Sequence, residues 1–344
     1  MIRLPQYFLL LTSAVALLAL ISGCTAIFVA NEVVPKNPEI LPGDTVIDVP
    51  FIAQKKFYCG PASLAMVADY YGVKTTSSQI EKRMLLPARK GTLQVELQAT
   101  ARSLNFASFP MQMDRQSLIT AIDQEQPVIV LQNLSLDIYP RWHYAVVVGR
   151  SETTDHLLLH SGEHEYYRVR WQTFKNTWQR SGNWALMVLP AGELPGSISQ
   201  QQALKAAMDL EKTGKVRAAQ LSYAAISQRW PKSFAAHVGL ANTYMKLNEP
   251  LAASKAYQQA LKLDKYSAST LNNFAYSAHD LGCEITAIHA AGCALKMSGS
   301  DKRILATLND LKSKPGNPSN HDQCPRIVCN GQTLASLNKQ DIEP

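Results

Sequence analysis

A cysteine, a histidine and a glutamine stand in this sequence where they can do nucleophilic chemistry on a carbonyl. Cys59 opens the run Cys59-Gly60-Pro61-Ala62. The apolar residues that follow, Leu64, Val67, Ala68 and Tyr71, are spaced i, i+3, i+4, i+7, which predicts a helix. Pro61 suits its first turn, and Gly72 suits the residue just past its end. A thiol at a helix N-terminus faces unpaired backbone N–H groups and the positive end of the dipole, so a lowered pKa and a reactive thiolate are expected for Cys59. A base must take its proton. His143 heads the apolar run His143-Tyr-Ala-Val-Val-Val-Gly149, which reads as a buried central strand holding an imidazole at its open end. Gln54, five residues before the cysteine, can place a side-chain amide beside the sulfur as an oxyanion donor.

The elements around these residues carry a resemblance. Gln54, Cys59-Gly-Pro-Ala-Ser-Leu-Ala-Met66 and His143–Gly149 together resemble the bacteriocin-processing cysteine peptidases of papain-like fold. Those domains cut double-glycine leader peptides and are usually fused to ABC exporters. The resemblance covers residues 46–192 and implies an α+β domain with Cys59 as nucleophile, His143 as base and Gln54 as oxyanion donor. The intervening sequence fits. A helical stretch follows Gly91-Thr92 to Leu104, Asp114 can cap a helix to about Gln124, and Pro127–Leu131 reads as a strand.

The sequence departs from the family in three places. No transporter follows, so coupled export is not implied. Tyr58 stands before the cysteine where the exporter domains usually carry an acid. The family places an Asp-Pro one strand after the histidine; here that strand is His156-Leu-Leu-Leu-His160, followed by Ser161-Gly162. Ser161 or His160 occupies the position of the acid, and Ser161 is the candidate orienter of His143, weaker than a carboxylate because it carries no charge. Glu163, Glu165 and Asp155 are nearby substitutes. The set His156, His160, His164 lacks the Cys or Asp that would close a zinc shell, so these read as polar strand-end histidines and no metal or other cofactor is expected. Tyr166, Tyr167, Trp171, Phe174, Trp178 and Trp184 read as core aromatics.

The N-terminus reads as an address. Arg3 precedes an apolar run from Phe8 to Ile21, about 14 residues and shorter than the ~20 of a membrane-spanning helix. Ile21-Ser22-Gly23-Cys24 then resembles the bacterial lipoprotein box, which implies a signal peptide over 1–23 and lipidation (palmitate) of Cys24. Thr25 in the next position implies, by the same resemblance, the outer membrane of a Gram-negative envelope. Residues 24–45, with Pro35, Pro38, Pro42 and Gly43, read as a linker from the lipid to the first domain. The domains would then sit in an oxidising compartment.

The second half is repetitive. Ala219, Ala253 and Ala287 step by 34 residues, as do Tyr223, Tyr257 and Ala291, the turn residues Gly214, Asn248 and Gly282, and the repeat ends Pro231, Lys265 and Gly299. This helix–turn–helix period resembles three tetratricopeptide repeats over 199–301, with first helices near 200–213, 234–247 and 268–281. Such arrays hold an extended peptide or a partner helix on their concave face. Pro190–Gly196 reads as the linker between the two domains.

Residues 302–344 read as a cysteine-containing tail. Cys283 and Cys293 lie on the order of 15 Å apart along the last repeat, too far for a direct disulfide. Either Cys324 and Cys329 fold back to clamp the last repeat, or they close a local loop and leave two buried thiols; a zinc site is a lesser alternative outside the cytoplasm.

The chain has 344 residues, 46% hydrophobic and 18% charged, a globular composition of about two domains. Its +7 charge comes from scattered basic residues and forms no run, so no nucleic-acid partner is expected. The sequence therefore points to a lipid-anchored envelope cysteine peptidase whose repeats bind a protein substrate or partner. The alternative is a catalytically inactive peptidase fold and repeat scaffold in an envelope assembly. An acyl- or amidotransferase using the same dyad ranks below both.

Overall fold

The structure, a computed structural model, describes residues 40–54, 57–84, 91–299, 301–313, 324–329 and 332–333. Segment 1–39 with Cys24 lies outside the described residues, as does the side chain of Cys329. Among the described residues no helix is long and apolar enough to cross a membrane.

One antiparallel sheet organises the first domain. Its strands are β1 (Asp44–Val46), β2 (Phe106–Gln112), β3 (Val128–Asn133), β4 (Trp142–Ser151), β5 (His156–Ser161), β6 (His164–Arg170) and β7 (Trp184–Pro190). They run in the order β2-β7-β3-β4-β5-β6, with β1 beside β4. The strand headed by His143 is thus central, paired on one side with β3 and on the other with β5. Side chains alternate across the sheet. Ile129, Leu131, Val146 and Val148 face one layer, formed by α1 (Cys59–Tyr70), α2 (Ser77–Lys82) and α3 (Gln94–Ser103). Val128, Val130, Ala145 and Val147 face the other, formed by α4 (Arg115–Asp123) and α5 (Trp171–Trp178). Helix α1 is buried from Gly60 to Ala68, so it is apolar on all sides rather than amphipathic. Asp114 caps α4, accepting from the Ser117 N–H at 2.8 Å. Phe174 and Trp178 are fully enclosed, and the Trp178 indole N–H donates to the Trp184 carbonyl.

The second half is a helical array: α6 (Gln200–Lys212), α7 (Val216–Arg229), α8 (Phe234–Lys246), α9 (Pro250–Leu263), α10 (Ala268–Asp280) and α11 (Glu284–Ser298). The chain is therefore an α+β papain-like domain followed by a tetratricopeptide-repeat array. The three inner turns use a left-handed residue at the same place: Gly214 (φ +75°), Asn248 (φ +58°) and Gly282 (φ +74°). Another column shares the period: Ser199, Ser233 and Ser267 each cap the first helix of a repeat through the side-chain oxygen. Gly239 is needed for packing, because a Cβ there would stand 2.5 Å from the Tyr223 ring. That ring is 3% exposed and its hydroxyl donates to Glu211, so it has little room to move. Gly239→Ala is expected to cost about 1–3 kcal/mol, read as a lower urea midpoint at an unchanged slope; a wild-type midpoint would show that the array absorbs the methyl group.

One boundary differs from the sequence expectation. Asp44 and Thr45, placed in the linker, belong to β1 and pair with Ser151 and Arg150. The cause is a long-range ion pair: the Asp44 carboxylate is buried against Arg168 of β6. The expected tail opens with a helix, α12 (Lys302–Ser313), which buries Ile304, Thr307 and Leu311 against the end of the array. The segment 190–196, expected as the linker between the domains, is held by Arg229, which donates to the carbonyls of Pro195 (2.7 Å) and Gly196. Beyond α12, Cys324 is joined to Cys283 with Cα atoms 5.5 Å apart, so the tail folds back onto the last repeat. Cys293 is disulfide-bonded as well, and among the described cysteines only Cys59 is free.

Candidate active site

Cys59 is the first residue of α1 and is half-buried. The helix is driven hard against its surroundings at this point: a Cβ on Gly60 would lie 2.7 Å from Thr92, so only glycine lets the segment before α3 close over the helix start. The Tyr144 hydroxyl donates to the Thr92 carbonyl (3.2 Å), which ties that segment to β4. The backbone N–H groups of Tyr144, Gly60 and Cys59 itself lie near enough to the sulfur to favour its charged form. The thiol therefore sits beside β4, against the residue that follows His143.

The expectation of a lowered thiol pKa is corrected. Burial pushes the Cys59 thiol above its ordinary value, and the three backbone donors only offset part of that rise. His143 moves the opposite way. Burial, with the like charge of Arg141, pushes its imidazole down to about 4. Both directions favour the uncharged forms, a thiol and a neutral imidazole, over a preformed ion pair.

Ser161 Oγ lies 2.9 Å from His143 Nε2. No carboxylate hydrogen-bonds His143 among the described residues, and Asp155, one of the substitutes considered, is engaged with Arg115. With Nε2 turned to Ser161, Nδ1 is the ring nitrogen that this hydroxyl does not engage. His160, the neighbour, does something else. It is fully buried on the other face of the strand and donates to the Val49 carbonyl, so it is a core histidine and not the polar strand-end group expected. His156 bonds Thr154, and no group of His, Cys, Asp or Glu that could hold a metal occurs among the described residues.

Gln54 is 8% exposed, yet among the described residues neither its amide nitrogen nor its amide oxygen has a hydrogen-bond partner. A buried amide left unpaired is costly, on the order of 1–3 kcal/mol, and such groups are kept where a ligand will satisfy them. Its backbone N–H donates to the Gly162 carbonyl (2.9 Å), one residue past Ser161. The β5–β6 turn thus gathers Gln54 and the histidine partner in one place.

Residues 46–186 match the sequence model of the Peptidase_C39 like family. That match lies within the first domain. No curated protein matches the chain. Among solved structures, the peptidase domain of Streptococcus ComA, a bi-functional ABC transporter involved in a quorum sensing pathway, is 22% identical; the match covers 41% of this chain and 98% of that one, with a TM-score of 0.35. A double glycine motif protease from an AMS/PCAT transporter, in complex with the leader peptide, is 20% identical over 42% of this chain and 94% of that one, with a TM-score of 0.35. The first tetratricopeptide-repeat domain of Spaghetti bound to an HSP90 peptide is 16% identical over 34% and 94%, with a TM-score of 0.32.

One feature of this C39-like domain escaped the sequence reading. The loop between β3 and β4 exposes Leu136 (63%), Ile138 (84%) and Tyr139 (83%), and Trp142 (50%), the first residue of β4, continues this surface immediately before His143. The loop is held rigid from below. Asn133, itself buried, accepts from the N–H groups of Ser135 (3.1 Å) and Arg141 (2.9 Å), and Arg180 donates to the Ser135 carbonyl. An apolar run in a connection that ordinarily carries polar residues was the signal available in the sequence.

Proposed function

We propose that the first domain is a cysteine peptidase that hydrolyses peptide bonds of a protein or peptide substrate. His143 Nδ1 takes the Cys59 proton as the sulfur attacks the carbonyl carbon. The π-electron pair moves onto the oxygen, which the Gln54 amide and the Cys59 backbone N–H receive. The imidazolium, its Nε2–H donated to Ser161, returns the proton to the leaving amine, and water then hydrolyses the thioester. The observation that carries this reading is the buried, unpartnered Gln54 amide anchored at the turn that also holds His143. A scaffold has no physical use for it. The apolar loop before His143 supplies a contact surface for an extended peptide, and the repeat array supplies a second one for a protein partner. From the sequence we also propose that a lipid at Cys24 carries the protein on the outer membrane.

The test is to incubate the full chain with a denatured-proteome peptide mixture and identify new termini by mass spectrometry, with Cys59→Ala as control. New termini that require Cys59 are expected, and Ile138→Asp should slow their appearance by raising KM. Identical termini patterns from wild type and Cys59→Ala would leave the scaffold reading standing.

A further inference from the structure

Three consecutive residues of the β5–β6 hairpin make three different attachments. His160 Nε2 lies 2.8 Å from the Val49 carbonyl oxygen, Ser161 Oγ lies 2.9 Å from His143 Nε2, and the Gly162 carbonyl accepts from the Gln54 N–H at 2.9 Å. The His160 ring is completely buried, and Nδ1 accepts from the Tyr166 N–H at 3.2 Å. Those two bonds fix its tautomer: the proton is on Nε2 and is donated to Val49. Phe51 and Tyr166 pack edge-on against the ring, with centroids at 5.3 and 4.7 Å. Residues 50–54 form neither helix nor strand, so nothing periodic carries position from Val49 to Gln54. The hairpin supplies it, holding this segment at both ends.

We propose that His160 is a positioning residue for the oxyanion donor: by tying Val49 to the hairpin that also holds Ser161 against His143, it sets the Gln54 amide relative to the Cys59–His143 pair. The inference rests on the peptidase reading, with Gln54 as the donor. It gives a buried histidine a role beyond filling the core, since an apolar residue would fill the space without binding Val49.

The test separates the two bonds of the ring in the full-length protein. A glutamine nitrogen reaches the place of Nε2, so His160→Gln keeps the tie to Val49. An asparagine reaches only the place of Nδ1, so His160→Asn keeps Tyr166 and releases Val49. Two probes separate the two halves of the site. Acetyl-diglycyl aldehyde adds the Cys59 S–H across its C=O: an S–C bond forms, the π pair becomes a C–O pair, and the thiol proton ends on that oxygen, which Gln54 receives. Iodoacetamide forms an S–C bond as iodide leaves, the thiol proton is lost to solvent, and no oxyanion is created.

Gln54→Ala is expected to weaken aldehyde binding at least ~10-fold. His160→Asn should weaken it to a similar degree, and His160→Gln should stay within ~3-fold of wild type. The double variant His160→Asn/Gln54→Ala should be no weaker than Gln54→Ala alone, because both act through one group. Iodoacetamide rates should stay within ~2-fold throughout. Equal losses in the Asn and Gln variants, wild-type aldehyde binding in His160→Asn, or a parallel fall in iodoacetamide rates would each overturn the inference. If Gln54→Ala itself leaves aldehyde binding unchanged while Cys59 still alkylates normally, the oxyanion assignment fails and the inference falls with it. Should His160→Asn not fold, hydrogen exchange at the Gln54 amide in His160→Gln decides: protection equal to wild type is expected, and its loss in a folded protein overturns the proposal.

Discussion

His143→Gln is expected to lower turnover of a cleaved peptide by about 10³-fold while leaving the fold intact, and to change the shape of the pH profile. In the proposed mechanism the active form has a neutral imidazole. Burial holds that group near 4, so kcat/KM should be flat through mildly acidic pH and fall only as His143 takes a proton, below about 4. The buried thiol titrates above its ordinary value, so iodoacetamide labelling of Cys59 should be slow at neutral pH and climb on the alkaline side. In His143→Gln the acid limb disappears, and the residual activity should follow that alkaline climb, because only spontaneously formed thiolate is left to react. Ser161→Asp adds the charge that the hydroxyl lacks. A carboxylate beside Nε2 favours the imidazolium, so the acid limb should move to higher pH. Rapid wild-type labelling that plateaus well below pH 8 would mean a preformed thiolate–imidazolium pair and would overturn this account.

The direction of the thiol shift shows where sequence reasoning stops. The spacing Leu64, Val67, Ala68, Tyr71 was enough to read a helix that begins at Cys59, and the dipole argument follows from that alone. How much water the sulfur loses depends on Thr92 and Tyr144 closing over it from other elements, which spacing does not report. Strand parity was equally legible and equally insufficient. Alternation puts His160 and Ser161 on opposite faces of β5, but which face meets His143 is decided by pairing with β4. Asp44 joined the sheet through Arg168, a partner on a distant strand that no local pattern announces. The repeats were readable because their period is carried by many positions at once. The terminal helix was readable too: Ile304, Thr307 and Leu311 share one helical face, and the cysteines nearby drew the attention instead.

Leu210→Ala is expected to destabilise both halves of the chain together, by about 2–5 kcal/mol. The described residues form one compact unit. Within it, the sheet face that carries Phe109, Val128 and Leu189 continues without a break into Ala203, Ala207 and Leu210 of α6 and Tyr223 and Ile226 of α7. Leu210 is fully buried in that shared cluster. Beside it, Asp209 faces Arg102 of α3 across the junction at 4.0 Å, and Gly196 is packed so tightly that a Cβ would stand 2.7 Å from Gln124, the residue that follows α4. A cavity opened at Leu210 removes contacts from the α6 helix and from the sheet at once, so neither half can keep its stability while the other melts. Four of the five tryptophans, Trp142, Trp171, Trp178 and Trp184, belong to the first domain, whereas most of the helix lies in the array. Tryptophan fluorescence and far-UV circular dichroism therefore report on different halves. In urea the two signals should move to a lower midpoint by the same amount and remain superimposed. A fluorescence transition that stays at the wild-type midpoint while the helical signal melts earlier would mean that the array is an independent domain. The first domain could then be studied without it; if the transitions coincide, removing the array exposes the lower face of the peptidase sheet to water, and any assay of the isolated domain would report on a damaged core.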